Sequence, residues 1–594
     1  MMMADITILY GSQTGCAQDL AERLQRQGRA RRFRTALYCM DEYDLEQMRT
    51  HPSLYVLVAS TAGQGVAPDN MRSFWRSMLQ RTLSNDLLQP VRFAVFGLGD
   101  SSYPIYNAVA RRLHQRLLDL GALPFHERGL GDDQDELGVD GAFEPWATEL
   151  WRRAAELVPN AVADAVSVVP PPIRITPTNV AATEPALGAF GRGRGRYTPV
   201  TLHCNVNRRL TPYNHWQDVR LVEFELSDDI RYRPGDVLVL HPTNPVEAVE
   251  RFLRDRIRID PDAVVVLTRR SESDDDADDD DDRLPYGVPV TWRDLFVRWL
   301  DVFGTPRRFF FEVIAEFAQD DLERDRLREL GSVAGQDDLL HYSHRERRTY
   351  IEVLDDFASV DVPVGVLLEI VPRLRPRQFS IASSPSRHGR LLQIVAAIVE
   401  YRTPYKRPRI GLCSRFLRTL RPGDRVPCWT RVGSFAMPTT AQHAVIMIGP
   451  GTGIAPFRSM CHEISVARAG PVRPPSELWV FFGCRNRAND FLFEIEWQEM
   501  VESGAVTRFE AAFSRDQPEK VYVQDRMALH GRDLYRLLSS GAVLYLAGSS
   551  NPMPKQVHEG LVQICIEHGE MSREQSEQFL RTLQKLGRYL VETW

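Results

Sequence analysis

Gly449-Pro450-Gly451-Thr452-Gly453-Ile454-Ala455-Pro456-Phe457-Arg458 follows at once on the apolar run Ala444-Val445-Ile446-Met447-Ile448. An apolar strand that ends in a glycine loop and opens a helix is the repeating unit of parallel α/β sheets. N–H groups at such a helix start suit a pyrophosphate, and Thr452 is the residue of the loop placed to touch it. Alone, a glycine loop is a weak signal. Here Leu478-Trp479-Val480-Phe481-Phe482 and Val543-Leu544-Tyr545-Leu546-Ala547 offer further strands, so residues 436–594 are expected to form one α/β nucleotide-binding domain.

Two short motifs lie upstream of that loop, Arg377-Gln378-Phe379-Ser380 and Gly411-Leu412-Cys413-Ser414. They sit in β-rich stretches, about 198–243 and 364–435, punctuated by the turns Arg233-Pro234-Gly235-Asp236 and Arg421-Pro422-Gly423-Asp424. This pattern predicts one antiparallel barrel over residues 198–435, interrupted by an insertion at about 244–363. The insertion reads as helical, as in Leu295–Leu300 and Phe309–Phe317. Its aspartate run from Asp274 to Asp282 is expected to be an extended, solvated loop, with docking of a basic partner as the alternative. Downstream come Ser514-Arg515 and Lys520-Val521-Tyr522-Val523-Gln524. Two cations with hydroxyls are what a phosphomonoester needs, although singly each would pass for a surface charge.

The N-terminal part, residues 4–152, repeats the strand–loop–helix alternation. Ile6-Thr7-Ile8-Leu9-Tyr10, Leu54-Tyr55-Val56-Leu57-Val58-Ala59 and Val91-Arg92-Phe93-Ala94-Val95-Phe96 read as buried strands of a doubly wound parallel sheet. Their carboxyl ends carry three loops, the usual ligand side of such a sheet. Ser12-Gln13-Thr14-Gly15-Cys16-Ala17 gathers hydroxyls and N–H groups before a helix, a nest for a phosphate dianion. No lysine follows its glycine, which sets it apart from the nucleotide-triphosphate loop. Ser60-Thr61-Ala62-Gly63-Gln64-Gly65 and Leu98-Gly99-Asp100-Ser101-Ser102-Tyr103-Pro104-Ile105-Tyr106-Asn107 could edge and stack on a flat ring, with Tyr103 the stacking aromatic. Tyr106 suits a core position equally well. Asp133, after Gly131-Asp132, is either beside the ring or in a solvated acidic loop.

Between these parts, residues 153–197 shift to Pro, Ala, Thr and Gly, including Pro170-Pro171-Pro172 and Gly191-Arg192-Gly193-Arg194-Gly195-Arg196, and read as a linker. Across 594 residues there are 73 basic and 79 acidic side chains, a balance that does not suggest a nucleic-acid binder. The 8 cysteines form no CxxC pair, so neither a metal site nor a disulfide framework is expected. No apolar run reaches the roughly 18–20 residues that cross a bilayer. Met1–Tyr10 has no basic region before an apolar stretch, and a soluble cytoplasmic protein without a membrane partner is the expectation.

Taken in order, these motifs resemble the NADPH-dependent diflavin reductases over nearly the whole chain. The resemblance implies a flavodoxin-like FMN domain, an antiparallel β-barrel FAD domain with a helical insertion, and a ferredoxin-reductase-like NADP-binding domain. It implies electron flow from NADPH to FAD, to FMN and to a protein acceptor. Within it, Arg377 would meet the FAD pyrophosphate, Phe379 would lie beside the flavin where relatives usually carry Tyr, and Ser380 would stand near the reacting nitrogen. Gln378 belongs to the same strand, and Gly411 to Ser414 would close on the pyrophosphate. Arg347 matches a further FAD-contacting arginine, or is a surface charge. Ser514, Arg515, Lys520, Tyr522 and Gln524, with Val521 and Val523 between them, would grip the 2′-phosphate of NADPH, and Gln556 stands where relatives can carry Asp.

Trp594 would cover the FAD ring and swing aside, since hydride transfer needs its atoms about 3–3.5 Å apart. Ala547 and Glu592 replace the cysteine and aspartate of the microsomal members, and Glu592 could still stabilise the forming nicotinamide cation. With no anchor or haem domain in view, Phe379, Ala547 and Glu592-Thr593-Trp594 point to the branch serving cytosolic iron–sulfur cluster assembly, which implies an anamorsin-type iron–sulfur protein as acceptor. A soluble reductase for a haem protein or for sulfite reductase, and a flavin-bound regulatory scaffold, are the alternatives.

Overall fold

The structure, a computed structural model, describes residues 5–13, 15–61, 65, 67–101, 105–135, 137–159, 161–164, 173–182, 199–227, 230–269, 284–437, 444–468, 475–550 and 552–593. The chain divides into two compact units: 1–196 with 246–373 and 403–405, and 197–245 with 374–402 and 406–594.

In the first unit, Thr35–Cys39, Ile6–Gly11, Leu54–Ser60 and Arg92–Gly99 lie side by side in parallel. A last position beside Arg92–Gly99 is shared by Leu123–Pro124 and Gly129–Asp132. The period of two along a strand sorts its side chains between two cores. Ile6, Ile8 and Tyr10 face the helices Cys16–Ala30 and Val139–Leu157, whereas Leu9 packs on the opposite side with Tyr55 and Leu57. Because the first strand lies between the second and third, the connections run in opposite directions from it. The loops after Gly11, Ser60 and Gly99 therefore open at one end of the sheet, the place where such sheets take ligands.

The insertion belongs to the same unit and has its own core, built from Phe296, Phe310, Phe311, Leu367 and their neighbours. A three-stranded antiparallel sheet flanks it: Ile173–Pro177, Val264–Arg269 and Pro289–Thr291. The first of these strands comes from the proline-rich stretch that reads as a linker. The insertion meets the helix Cys16–Ala30 through ion pairs, Arg23 reaching Glu312 (2.5 Å) and Arg26 reaching Glu316 (3.8 Å), while Asp140 (3.1 Å) and Glu144 of the helix Val139–Leu157 share Arg23.

The second unit opens with six antiparallel strands in the order Arg377–Ser380, Val237–Leu240, Arg425–Arg431, Val200–Arg209, Val219–Glu225 and Leu391–Ala397. A bridge between Ile381 and Ile394 joins the two ends and curls the sheet into a barrel. Its interior is apolar, around Leu202, Phe224, Leu238 and Ile394. Five parallel strands follow, ordered Arg508–Phe513, Leu478–Cys484, Val445–Ile448, Val543–Gly548 and Tyr589–Thr593, with a separate core on each face. Among the described residues no helix is long and apolar enough to cross a membrane.

Candidate functional site

Leaving its first strand, the chain makes a tight loop. Gly15 N–H donates to Ser12 Oγ at 2.9 Å, and Ser12 N–H donates to Asn70 Oδ1 at 2.8 Å. Gly15 has φ 98°, a conformation that favours glycine, and it opens the 15-residue helix Cys16–Ala30. Ser12 is buried, Gln13 exposed, Cys16 half-buried and Ala17 buried. Ser12 Oγ accepts in this loop and so keeps its own O–H to give. A hydroxyl donor beside the start of a long helix fits a phosphate. A side chain at Gly11 would begin 2.5 Å from Met71 Sδ, so the floor of the loop has no room for one. Thr14 lies outside the described residues.

The second loop is tied to its neighbours. Ser60 Oγ donates to Gly11 O (3.3 Å), Thr61 N–H donates to Leu98 O (2.9 Å), and Thr61 Oγ1 accepts from Val109 N–H (3.4 Å). In the third, Ser101 N–H donates to Asp132 Oδ1 and Asp133 N–H to Gly99 O, each at 2.9 Å. Leu98 is buried, Asp100 half-buried and Ile105 exposed. Asn107 is wholly buried in the left-handed region at φ 51°, and its Nδ2 donates to Gly131 O at 2.9 Å. Its amide thus fastens the loop to the neighbouring strand, and a side chain at Gly99 would begin 2.8 Å from Asn107 N. Tyr106 lends its hydroxyl to Leu130 O at 3.4 Å. Burial, with the charges of Asp100 and Asp132, pushes the Asp133 carboxyl up from its ordinary value. Ala62, Gly63, Ser102, Tyr103 and Pro104 lie outside the described residues.

Arg347, on the insertion, takes the left-handed conformation at φ 48°. In the second unit, Arg377 and Gln378 are exposed while Phe379 and Ser380 are half-buried on the barrel strand. Gly411 caps the helix Leu412–Thr419 without a side-chain acceptor, leaving its first turn open to an anion. Ser414 is turned inward, its Oγ accepting from Val399 N–H at 2.9 Å. Burial pushes the Cys413 thiol up to about 12, so it is no nucleophile at neutral pH.

The distant pair Ser380 and Glu592 meet: Ser380 Oγ donates to Glu592 Oε1 at 3.2 Å. Burial raises the Glu592 carboxyl, opposed by hydrogen bonds from Ser380 and Ser434 and by the charge of Arg431. Ala547 lies beside Glu592 in register on the adjacent strand. Trp594 lies outside the described residues.

At the carboxyl end of the five-stranded sheet, Gly451–Ile454 makes a 3₁₀ turn before the helix Ala455–Arg468. A side chain at Gly453 would begin 2.1 Å from Ala547 O, and one at Gly449 2.7 Å from Gly453 O, so the loop lies flat on the sheet. Gly451, at φ 57°, faces open space, and Thr452 beside it is half-buried. This cradle fits a dinucleotide pyrophosphate.

Ser514 Oγ donates to Cys484 O (3.3 Å) and Arg515 N–H to Arg485 O (2.8 Å), which joins the two neighbouring strand ends. Arg515, Lys520 and Tyr522 are exposed there. Val523 is buried in the core, and Val521 and Gln524 are half-buried. Gln556 is exposed on the helix Met553–Gly569.

Sequence reasoning missed three neighbours. Ser434 helps to hold the Glu592 carboxyl down, and nothing local marks it. Arg485 stacks 3.7 Å from the ring centre of Trp216. A groove of 680 Å³ lined by Arg208, Arg209, Thr211, Tyr213, Arg487 and Glu494 lies between the barrel and the sheet end. The arginine pairs of Asn207-Arg208-Arg209 and Arg485-Asn486-Arg487 were the available signal.

Comparison with known proteins agrees with this layout. Residues 8–146 match the flavodoxin family, 195–416 the FAD binding domain, and 447–559 the oxidoreductase NAD-binding domain. The chain is similar to NADPH-dependent diflavin oxidoreductase 1 of Mus musculus, at 39% identity with 100% of both chains covered. Similar matches are the proteins of that name from Danio rerio, at 39% identity, and Arabidopsis thaliana, at 38%, each with 99% of both chains covered.

Proposed function

The chain belongs to the NADPH-dependent diflavin oxidoreductase 1 family, and from that premise we propose that its electron acceptor is an anamorsin-type iron–sulfur protein of cytosolic cluster assembly. It is an oxidoreductase with NADPH, FAD and FMN as cofactors, and electrons pass from NADPH to FAD to FMN. FAD, when bound, would take the two electrons of a hydride together, and FMN would receive and release them singly. The observation that carries the activity is the end-to-end correspondence with the diflavin relatives, joined to three sets of strand-end loops that each fit an anion.

We assign Ser12, Gln13, Thr14, Gly15, Cys16 and Ala17 to the FMN phosphate, and the loops at Ser60–Gly63 and Leu98–Tyr106 to its ring, with Asp133 beside them. Asn107 holds the second of those loops in shape. Arg377 and the helix start at Gly411 serve the FAD pyrophosphate, with Arg347 as a further contact, and Gln378 and Phe379 line the ring. Thr452 serves the NADPH pyrophosphate, while Ser514, Arg515, Lys520 and Tyr522 hold its 2′-phosphate, with Gln524 and Gln556 at the margin. Ser380 presents its hydroxyl at the reacting face. Glu592 holds that proton through Oε1 and supplies negative charge, and Trp594 covers the face. The same reading sets domain limits at 4–152, 198–435 and 436–594.

The acceptor has narrower support: Phe379, Ala547 and the sequence Glu592-Thr593-Trp594, together with the name shared by the relatives. A cytoplasmic setting follows from it, and suits eight cysteines that are all free. The test is anaerobic rapid mixing of NADPH-reduced protein with an oxidised anamorsin-type protein. Fast bleaching of the iron–sulfur absorbance, lost when FMN is stripped, is expected. If that absorbance stays while cytochrome c is reduced under the same conditions, the acceptor is wrong and the reductase stands.

A further inference from the structure

The 3₁₀ turn Gly451–Ile454 runs directly into the helix Ala455–Arg468, so the pyrophosphate cradle and that helix are one continuous piece of backbone. Arg458 and Ser459 lie near the start of the helix and are buried. Both reach across to the barrel. Arg458 Nη1 donates to Ala382 O and to Gln393 Oε1, each at 2.8 Å, and Ser459 Oγ donates to Ser383 O at 2.5 Å. Ala382 and Ser383 are wholly buried, and only Ile381 separates them from the barrel strand Arg377–Ser380.

The receiving segment is also fixed from the barrel side. Ile381 N–H donates to Asp236 O (3.1 Å) and Ala382 N–H to Gln393 O (2.7 Å). Ser383 Oγ accepts from Gln393 N–H (2.9 Å) and shares a hydrogen bond with the Tyr232 hydroxyl (2.7 Å). Arg458 is held in turn by Glu496, and Glu496 by His462 at 2.9 Å. Two buried carbonyls need donors, and donors from the barrel itself would satisfy them equally well. Here both donors come from the helix that the nucleotide cradle opens. Both acceptors stand just downstream of Ser380, whose O–H donates to Glu592.

We propose that Arg458 and Ser459 are positioning residues for hydride transfer, pegging the helix behind the NADPH cradle to the strand that carries Ser380 and so setting the separation of the reacting groups. They act through the backbone of Ala382 and Ser383. This rests on the assignment of Gly451–Ile454 to the NADPH pyrophosphate and of Ser380 to the reacting face. A misplacement of about 1 Å can cost a reaction about a hundred-fold, so a slip of about 0.3–0.5 Å costs roughly four- to ten-fold.

The test mixes the full chain, loaded with FAD and FMN, rapidly with NADPH without oxygen. FAD reduction gives a limiting rate and, from its concentration dependence, an NADPH dissociation constant. Ser459→Ala removes one peg and no charge. The limiting rate should fall roughly four- to ten-fold while the dissociation constant stays as it was, the mark of a contact that serves the reaction and not binding. Deuterium at the transferred position of NADPH should slow the variant further, which places the loss in hydride transfer itself. Ser459→Thr, which keeps the hydroxyl, should restore the rate. Arg458→Lys keeps a cation beside Glu496 but cannot reach Ala382 and Gln393 together. It should show the same split between rate and affinity, and it decides the matter if Ser459→Ala fails to fold. A lower thermal midpoint at an unchanged limiting rate, or weaker NADPH binding at an unchanged rate, would reduce both residues to structural ties and overturn the proposal. Ser380→Ala separates this from the assignment beneath it. A slower rate there beside an unchanged one in Ser459→Ala keeps the reacting face and drops the pegs, whereas unchanged rates in both drop the face as well.

Discussion

Two buried arginines join neighbouring parts of this protein, and they are wired in opposite ways. Arg458, between the barrel and the nucleotide sheet, gives four hydrogen bonds. It gives Nε and Nη2 to Glu496 (2.7 and 3.0 Å) and Nη1 to Ala382 O and Gln393 Oε1 (2.8 Å each), with the Phe493 ring 4.3 Å away. Arg23, between the flavodoxin helix and the insertion, meets three carboxylates, Asp140, Glu144 and Glu312, while its Nε has no partner. One contact has a single anion on its arginine, whose other N–H groups go to neutral acceptors. The other carries surplus negative charge. Burial would raise Glu496, yet hydrogen bonds from His462 and Arg458 hold it at about 2. Burial raises Glu312 to about 7, and Arg23 offsets this only in part because Glu144 and Asp140 share it. The same residue type thus makes a permanent joint in one place and a proton-sensitive one in the other.

The largest effect should come from Arg458→Ala. It leaves the Gln393 and Ala382 acceptors unmet inside the joint, while Glu496, 32% exposed, keeps His462, so a loss of about 3–5 kcal/mol is expected from the two buried acceptors, seen as a collapse of the thermal midpoint reported by FAD release. Arg23→Ala should cost about 1–3 kcal/mol, because its carboxylates, 21–31% exposed, can turn to water. Equal losses would mean that the wiring does not matter and that burial of the arginine alone sets the cost.

The contrast was invisible in the sequence, and the reason is distance along the chain. Leu54–Ala59 could be read as a buried strand because every residue of it is apolar, and all are buried. Gly453 could be read as a loop glycine because its neighbours are glycine and threonine. Arg23 and Glu312 lie 289 residues apart, and Ser380 and Glu592 lie 212 apart, so no local pattern pairs them. Ile173–Pro177 sits in a proline-rich stretch, and only its pairing with Val264–Arg269 makes it a strand. Asn107 and Val523 fell inside runs read as ligand contacts. The fold uses the first to pin a loop and the second to fill a core, which their immediate neighbours do not reveal.

Next in size is a pH effect confined to one joint. A carboxyl whose folded pKa is raised lends stability that is full below its ordinary value and lost as pH rises through the raised one. For Glu312 that window runs from 4.5 to about 7, and for Asp19, raised to about 6 chiefly by burial, from 3.8 to about 6. Glu496 is depressed, so its contribution is present above 4.5 and lost only as pH falls towards 2. Between pH 6.5 and 8, the backbone amides of Cys16–Ala30 and Arg308–Ala315 should lose hydrogen-exchange protection with rising pH, after correction for intrinsic rates. Those of Ala455–Arg468 should not. A parallel loss in both joints would break the comparison.

The smallest effect sharpens it most. Glu312→Gln keeps an oxygen that can accept from Arg23 and removes one of three crowded charges. At pH 8, where Glu312 is ionised, the substitution relieves repulsion with Glu144 and Asp140, and a gain below about 1 kcal/mol is expected. At pH 6.5 the native carboxyl is largely protonated and already resembles the amide, so the variant and wild type should converge. The pH slope of protection in Cys16–Ala30 between 6.5 and 8 should therefore flatten, while Ala455–Arg468 stays as it was. If the slope survives Glu312→Gln, the proton enters at another group, and the Arg23 joint is not sensitive through its own surplus charge.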